Sequence, residues 1–315
     1  MTLTATARSL CSSATRRRSI ATREPAALQV DGARRAWLKG TGALALSGFT
    51  GTLLAGCGGS ISDDAAPTPR LASVANFRDV GGAAEGYVTV DGARVQRGRF
   101  YRSSALTANA ADKAVLDTLT IAVDYDLRTP GEVAQSPDVM PAGAAYVSLN
   151  IDGTSEPPQM LPATSADAVA MMEALWRSFV SGEAQRTGFG TLLTRLANTP
   201  GAQLFHCDDG KDISGWVSAV LLSIANVPFD VVMQDYLLSN TYLAASTQTT
   251  LAVIRAQQGD AAATAAVPLH NAQASFLQAA VDQVQASYGT MNAYLTTGLG
   301  LSQATVGLLH ARLIN

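Results

Sequence analysis

Cysteine is scarce in this chain. Only Cys11, Cys57 and Cys207 occur in 315 residues; the first two fall in the N-terminal segment, which leaves Cys207 alone in the body and excludes a disulfide framework there. Aromatic residues make up 6%, too few for a sandwich of aromatic strands, whereas the abundance of Ala and Gly favours helices packed through small side chains. Charge is sparse as well, at 15%, and beyond residue 57 it is short of cations, with 14 basic against 23 acidic residues and a net charge of −9. Such a body has no electrostatic footprint for nucleic acid and does not itself recruit anionic lipid. The pair Gly210-Lys211 lacks the upstream glycine of a nucleotide-binding loop and is followed by Asp212 where Ser or Thr is needed, which excludes that function.

What is present divides the chain into three parts. Residues 1–57 read as an export leader. Arg34-Arg35-Ala36-Trp37-Leu38-Lys39 resembles a twin-arginine signal, and Leu54-Ala55-Gly56-Cys57 resembles a lipobox, in which small residues fit the cleavage site and the Cys57 thiol accepts the diacylglyceryl group. The apolar run from Gly40 to Ala55 is shorter than the roughly 20 residues that span a bilayer and is broken by glycines. Lipidation at Cys57 therefore predicts an exported protein, anchored to the cell envelope on its periplasmic or outer side. Residues 58–72, rich in Gly, Ser, Asp, Ala and Pro, read as a tether. Residues 73–315, with 47% hydrophobic residues in the chain as a whole, hold enough apolar material for one core.

Within that body, short apolar runs at Arg99 to Arg102, Ile121 to Leu127, Tyr146 to Ile151 and Gln203 to His206 predict strands. Helical periodicity marks Ala110 to Leu119 and Ala166 to Val180, where Val169, Met172, Leu175, Trp176 and Phe179 share a face. From Ser214 the pattern is almost wholly helical, through Val217 to Ile224, Val231 to Leu243, Ala272 to Tyr288 and Ser302 to Leu313. Strands mixed with helices and followed by a helical tail predict an α/β fold with a helical C-terminal part.

Between the fourth predicted strand and the next helix lies His206-Cys207-Asp208-Asp209-Gly210-Lys211-Asp212-Ile213-Ser214-Gly215. This segment resembles the HCxxGKDRTG loop of the atypical bacterial tyrosine and lipid phosphatases. Further motifs follow that family's order: Asn76-Phe77-Arg78-Asp79-Val80-Gly81-Gly82, Tyr101-Arg102-Ser103-Ser104, Asp126-Leu127-Arg128 with Glu132, and Asp235 to Asn240. The resemblance implies a cysteine-dependent phosphatase fold and a phosphomonoesterase working through a cysteinyl-phosphate, on a phosphorylated protein or lipid and without a cofactor. It implies Cys207 as nucleophile, the backbone of Asp208, Asp209, Gly210 and Lys211 with the Ser214 hydroxyl around the phosphate, and Asp212 or Asp152 as proton donor. No ligand pattern for a metal accompanies the loop aspartates. Arg78, Arg102 and Arg128 are either phosphate contacts or buried partners of Asp79, Asp126 or Glu132.

One position departs sharply. Ile213 stands where the family's arginine grips two phosphoryl oxygens, and the loss of two charge-assisted hydrogen bonds, at roughly 1.5 to 3 kcal/mol each, slows turnover by about 10² to 10⁴. Lys211, a point charge on a flexible stem, is a poor replacement for the planar fork. Asp208 and Asp209 add negative charge that opposes both phosphate and thiolate. An attenuated enzyme and a binding module that retained the fold without the chemistry are the two resulting expectations.

Overall fold

The computed structural model describes residues 68–83 and 85–314; the predicted export signal, the lipobox and most of the tether lie outside them. Five strands form a single sheet: β1 (Arg78–Asp79), β2 (Phe100–Ser103), β3 (Ile121–Asp126), β4 (Ala145–Ser148) and β5 (Ala202–His206). Their spatial order is β1-β2-β5-β3-β4, with β1 antiparallel to β2 and the other neighbours parallel. Parallel neighbours require crossovers, supplied by α1 (Ala110–Thr118), α2 (Pro130–Gln135), α3 (Ser165–Ser181) and α4 (Glu183–Asn198). After β5 the described chain is helical: α5 (Ile213–Ile224), α6 (Phe229–Leu237), α7 (Ser239–Tyr242), α8 (Ala244–Gln258), α9 (Asp260–His270), α10 (Ala274–Tyr288), α11 (Met291–Ala293), a π-helical turn (Tyr294–Gly298) and α12 (Gln303–Leu313). The α/β class and the helical C-terminal part are as the sequence predicts. Among the described residues no helix is long and apolar enough to cross a membrane.

Local chemistry explains several boundaries. Thr129 and Thr164 each begin a helix with a reciprocal capping box, to Glu132 and Asp167, which satisfies otherwise orphaned backbone donors. α5 begins at Ile213, not at Val217, and from Ser214 to Leu222 every residue is buried. A helix apolar on all sides belongs inside the core, where no amphipathic period marks its start. The helix predicted over Val231 to Leu243 is instead two, α6 and α7, separated at Leu238.

Side-chain alternation along the strands sorts the chemistry onto two faces. Phe100, Tyr125, Leu127, Phe205 and Cys207 join the large core built by α3 to α6 and α10 to α12. Tyr101, Ile121 and Leu204 join Val74, Phe77, Leu106 and Leu116 in a smaller core on the other side. Because β5 continues this alternation to its end, Cys207 faces the helical core whereas His206 turns to the opposite side of the sheet, beside Asp124.

Candidate active site

The loop from Cys207 to Asp212 joins the carboxyl end of the central strand β5 to the N-terminus of α5, the arrangement in which backbone N–H groups and the helix dipole converge on an anion. Gly210 adopts φ +64°, and a Cβ there would lie 2.3 Å from the Ser103 carbonyl oxygen. Only glycine fits the turn without displacement.

The back of the loop is held by buried polar side chains from four distant segments. Arg102 donates to the carbonyl oxygens of Gly210 at 2.7 Å and Lys211 at 3.4 Å. Asn76 donates to those of Asp209 at 3.1 Å and Gly210 at 2.8 Å. Asp235 in α6 pairs with Arg102 at 3.3 Å and with Arg78 at 3.3 Å, and accepts from the Tyr87 hydroxyl at 3.0 Å. Arg78 also reaches Ser239 at 3.2 Å. Burial pulls the Arg102 guanidinium down to about 9, with Arg78 acting in the same direction. Arg78 thus pairs with Asp235, not Asp79; the Asp79 carboxylate instead accepts from the N–H groups of Gly81 and Gly98. Arg128 is bound to Asp126 at 2.8 Å and Asp138 at 2.6 Å and, like Arg78 and Arg102, has a structural role.

The front of the loop opens on a cavity of about 160 Å³ lined by Cys207, Asp208, Asp209, Asp212, Ile213, Asp152, Glu132, Leu175, Phe179, Pro157 and Pro158. Cys207, Asp212 and Asp152 therefore meet in one place, although Asp152 is far from the loop in sequence. The lining contains five carboxylates and no cation. Lys211 is wholly buried; its ammonium donates to the Leu269 carbonyl oxygen and lies 3.5 Å from Asp212. Ser214 Oγ donates to Cys207 Sγ at 3.3 Å, the contact expected of a hydroxyl that steadies a thiolate. Trp176 Nε1 donates to Asp212 Oδ1 at 3.1 Å and fixes that carboxyl at the pocket floor.

Burial raises the Cys207 thiol to about 11; the bonds from Ser214 work downward, and the charges of Asp212 and Asp208 work upward. Burial also raises Asp212 and Asp152 above the usual carboxylate range, which favours the protonated form that a general acid needs. Asp208, exposed at the mouth, is pushed up to about 6 by partial desolvation and by Asp209 and Glu132, effects that solvent screening tempers. His270, half-buried at the end of α9, is lowered by burial while the Asp209 carboxylate acts upward. Its nearness to the loop arises from the return of α9 and leaves no local sequence signal.

With burial outweighing the bonds from Ser214, the Cys207 thiol is protonated in nearly every molecule at pH 7. Alkylation of Cys207 by iodoacetamide is therefore expected to accelerate continuously up to pH 10, and Asp208→Asn to raise the rate at pH 8. A plateau reached below pH 7 would show that the loop amides outweigh burial.

A loop that joins the central parallel strand to a buried helix, with cysteine at its mouth and a hydroxyl on the sulfur, defines a cysteine-dependent phosphatase scaffold. The tyrosine phosphatase family has a sequence model that matches residues 69–315, and the chain belongs to that family. It is similar to a Cupriavidus necator protein provisionally named a tyrosine-protein phosphatase, with 32% identity over 74% of this chain and 84% of that one. A tyrosine-protein phosphatase of Nostoc commune is 30% identical over 61% of this chain and 70% of its own. The triple specificity protein phosphatase PtpB of Mycobacterium tuberculosis is 26% identical over 76% of this chain and 96% of its own.

Proposed function

We propose that this family member is an attenuated phosphomonoesterase, carried outside the cytoplasm on a lipid anchor at Cys57. The observation that carries the enzymatic reading is the hydrogen bond from Ser214 to the Cys207 sulfur at 3.3 Å, made at the mouth of a loop whose back is braced independently of position 213. In the reaction, the Cys207 thiolate attacks phosphorus, the ester P–O bond breaks, and Asp212 or Asp152 gives its proton to the leaving oxygen. The deprotonated acid then activates water, which attacks phosphorus and breaks the S–P bond, releasing phosphate and regenerating the thiolate. The backbone N–H groups of Asp208, Asp209, Gly210 and Lys211, together with the helix dipole, hold the phosphoryl oxygens. Leu175, Phe179, Pro157 and Pro158 offer an apolar wall to the group bearing the phosphate, on a phosphorylated protein or lipid.

The five carboxylates of the pocket favour a second reading, a non-catalytic binding module. Turnover of a small aryl phosphate separates the two: slow hydrolysis by the wild type that disappears in Cys207→Ser supports the enzyme, and equal rates in both proteins favour the module. The anchor is supported by the arginine pair and by Leu54 to Cys57. Mass spectrometry of the mature protein is expected to find a lipidated N-terminal Cys57; an unprocessed leader would sink that part of the reading.

A further inference from the structure

On the face of the sheet opposite Cys207, we infer that Asp124, Asp138 and His206 form a binding site for one divalent transition-metal ion of the zinc class. The three residues come from β3, from the segment between α2 and β4, and from the end of β5. His206 Nε2 lies 3.4 Å from Asp124 Oδ1 and 3.5 Å from Asp138 Oδ2, and one donor atom from each residue lies within 4.8 Å of the others. An ion bound at about 2.0 to 2.2 Å separates its ligand atoms by about 3.0 to 3.5 Å, so the donors stand close to ligating distance. Imidazole nitrogen with carboxylate oxygen is a donor set suited to zinc, manganese or iron.

Two independent features point to a ligand. Asp124 and His206 are fully buried, yet neither carboxylate oxygen of Asp124 and neither ring nitrogen of His206 makes a hydrogen bond to the described protein. Buried polar atoms of this kind are strongly disfavoured unless something satisfies them. The charge is also unbalanced. Asp124, Asp126 and Asp138 all stand beside His206, and Arg128 pairs with Asp126 and Asp138, so Asp124 is left to a positive charge at the imidazole, which either a proton or a divalent ion supplies.

The surroundings have the character of an outer coordination shell. Asp138 is oriented by the Leu106 N–H on Oδ1 at 2.9 Å and by Arg128 on Oδ2 at 2.6 Å. Asp126 Oδ1 stands 4.0 Å from His206 Nδ1, on the ring edge away from the site, too far for a hydrogen bond but near enough to favour positive charge at the imidazole. Arg128 opposes a second positive charge at Asp138, and this favours an ion held chiefly by Asp124 and His206. Pro137 and Val139, which flank Asp138, are exposed, so this ligand lies on the segment nearest solvent.

The test uses the full chain with its three cysteines changed to serine, so that thiols cannot bind the metal, stripped with chelator and titrated with zinc ion against a competing chelator. One equivalent is expected to bind at pH 7, with affinity at least about ten-fold weaker at pH 5, where protons compete for the imidazole. Asp124→Asn and His206→Gln are each expected to weaken binding by about ten-fold or more, whereas His270→Gln and His310→Gln leave it unchanged. Since all three side chains are buried and their changes can disturb folding, circular dichroism accompanies each variant, and Asp138→Asn provides a third loss-of-binding variant. Binding of less than about a tenth of an equivalent by the folded cysteine-free chain overturns the inference, as does full binding by folded Asp124→Asn and His206→Gln.

Discussion

Ile213→Arg is expected to raise phosphatase turnover by about 10² or more, because a guanidinium at the first residue of α5 restores a fork whose grip tightens as the phosphoryl group transfers. Ile213 already lines the cavity beside Cys207, so the new side chain needs no rearrangement of the helix to reach it. Its charge also favours the thiolate, and the Cys207 thiol should titrate lower than in the wild type. The opposing effect is local: Asp208, Asp209, Asp212, Asp152 and Glu132 line the same cavity, and any of them can hold the guanidinium away from substrate. The single change therefore belongs beside a triple change in which Asp208 and Asp209 become asparagine, and the triple variant is expected to be the faster. Initial rates on an aryl phosphate, with vanadate inhibition as a second measure, read both. If the folded triple variant gains no activity, the chain's chemistry has been lost at more than the arginine, and the binding-module reading is favoured.

Asp235→Asn is expected to cost about 3–5 kcal/mol of folding stability, the range for stripping the partner from buried charge. The Asp235 carboxylate is the shared anion of Arg78 and Arg102, and its side chain and theirs are at most 4% exposed. Asparagine fills the same space but leaves two guanidinium groups facing each other without compensation. Urea unfolding followed by tryptophan fluorescence measures the loss, with Trp176 and Trp216 both inside the core. A midpoint within experimental error of the wild type would refute the hub role. The damage should extend to the loop, because Arg102 holds the Gly210 and Lys211 carbonyl oxygens, so Cys207 alkylation is expected to quicken in parallel.

The four predicted strands and most of the helices of the described part were legible because their apolar spacing matches the period of the element that forms. β1 was not: two residues, Arg78–Asp79, are too short for alternation, and both are polar. The start of α5 was hidden by burial on all sides, and α8, with no buried residue, has no apolar face to reveal it. At the site, Cys207, Ser214, Asp212 and Asp152 were named through the resemblance of the loop and its companion motifs to a family, and the structure brings Cys207, Asp212 and Asp152 to one cavity. The destination of Lys211 was not legible, since the Leu269 carbonyl that receives it lies far along the chain. The same limit explains Asp235: sequence offered Asp79, Asp126 and Glu132 as arginine partners because they were near, and while Arg128 does pair with Asp126, Arg78 on β1 pairs with an aspartate of α6 that lies 157 positions away.

The division of the loop into a braced back and an open front has a consequence for descent and for engineering. Asn76, Arg78, Arg102 and Asp235 set the course of the backbone, and position 213 takes no part in that network. Shape and reactivity are therefore under separate mutational control. Exchange at position 213 changes the chemistry at the mouth while leaving the loop's polar bracing intact, at the cost only of the contact Ile213 makes with the edge of the core. For the same reason the side chains of Asp208, Asp209 and Ile213 form a small set that can be randomised together to seek new anion or cation specificity, on a loop braced through its backbone carbonyl oxygens.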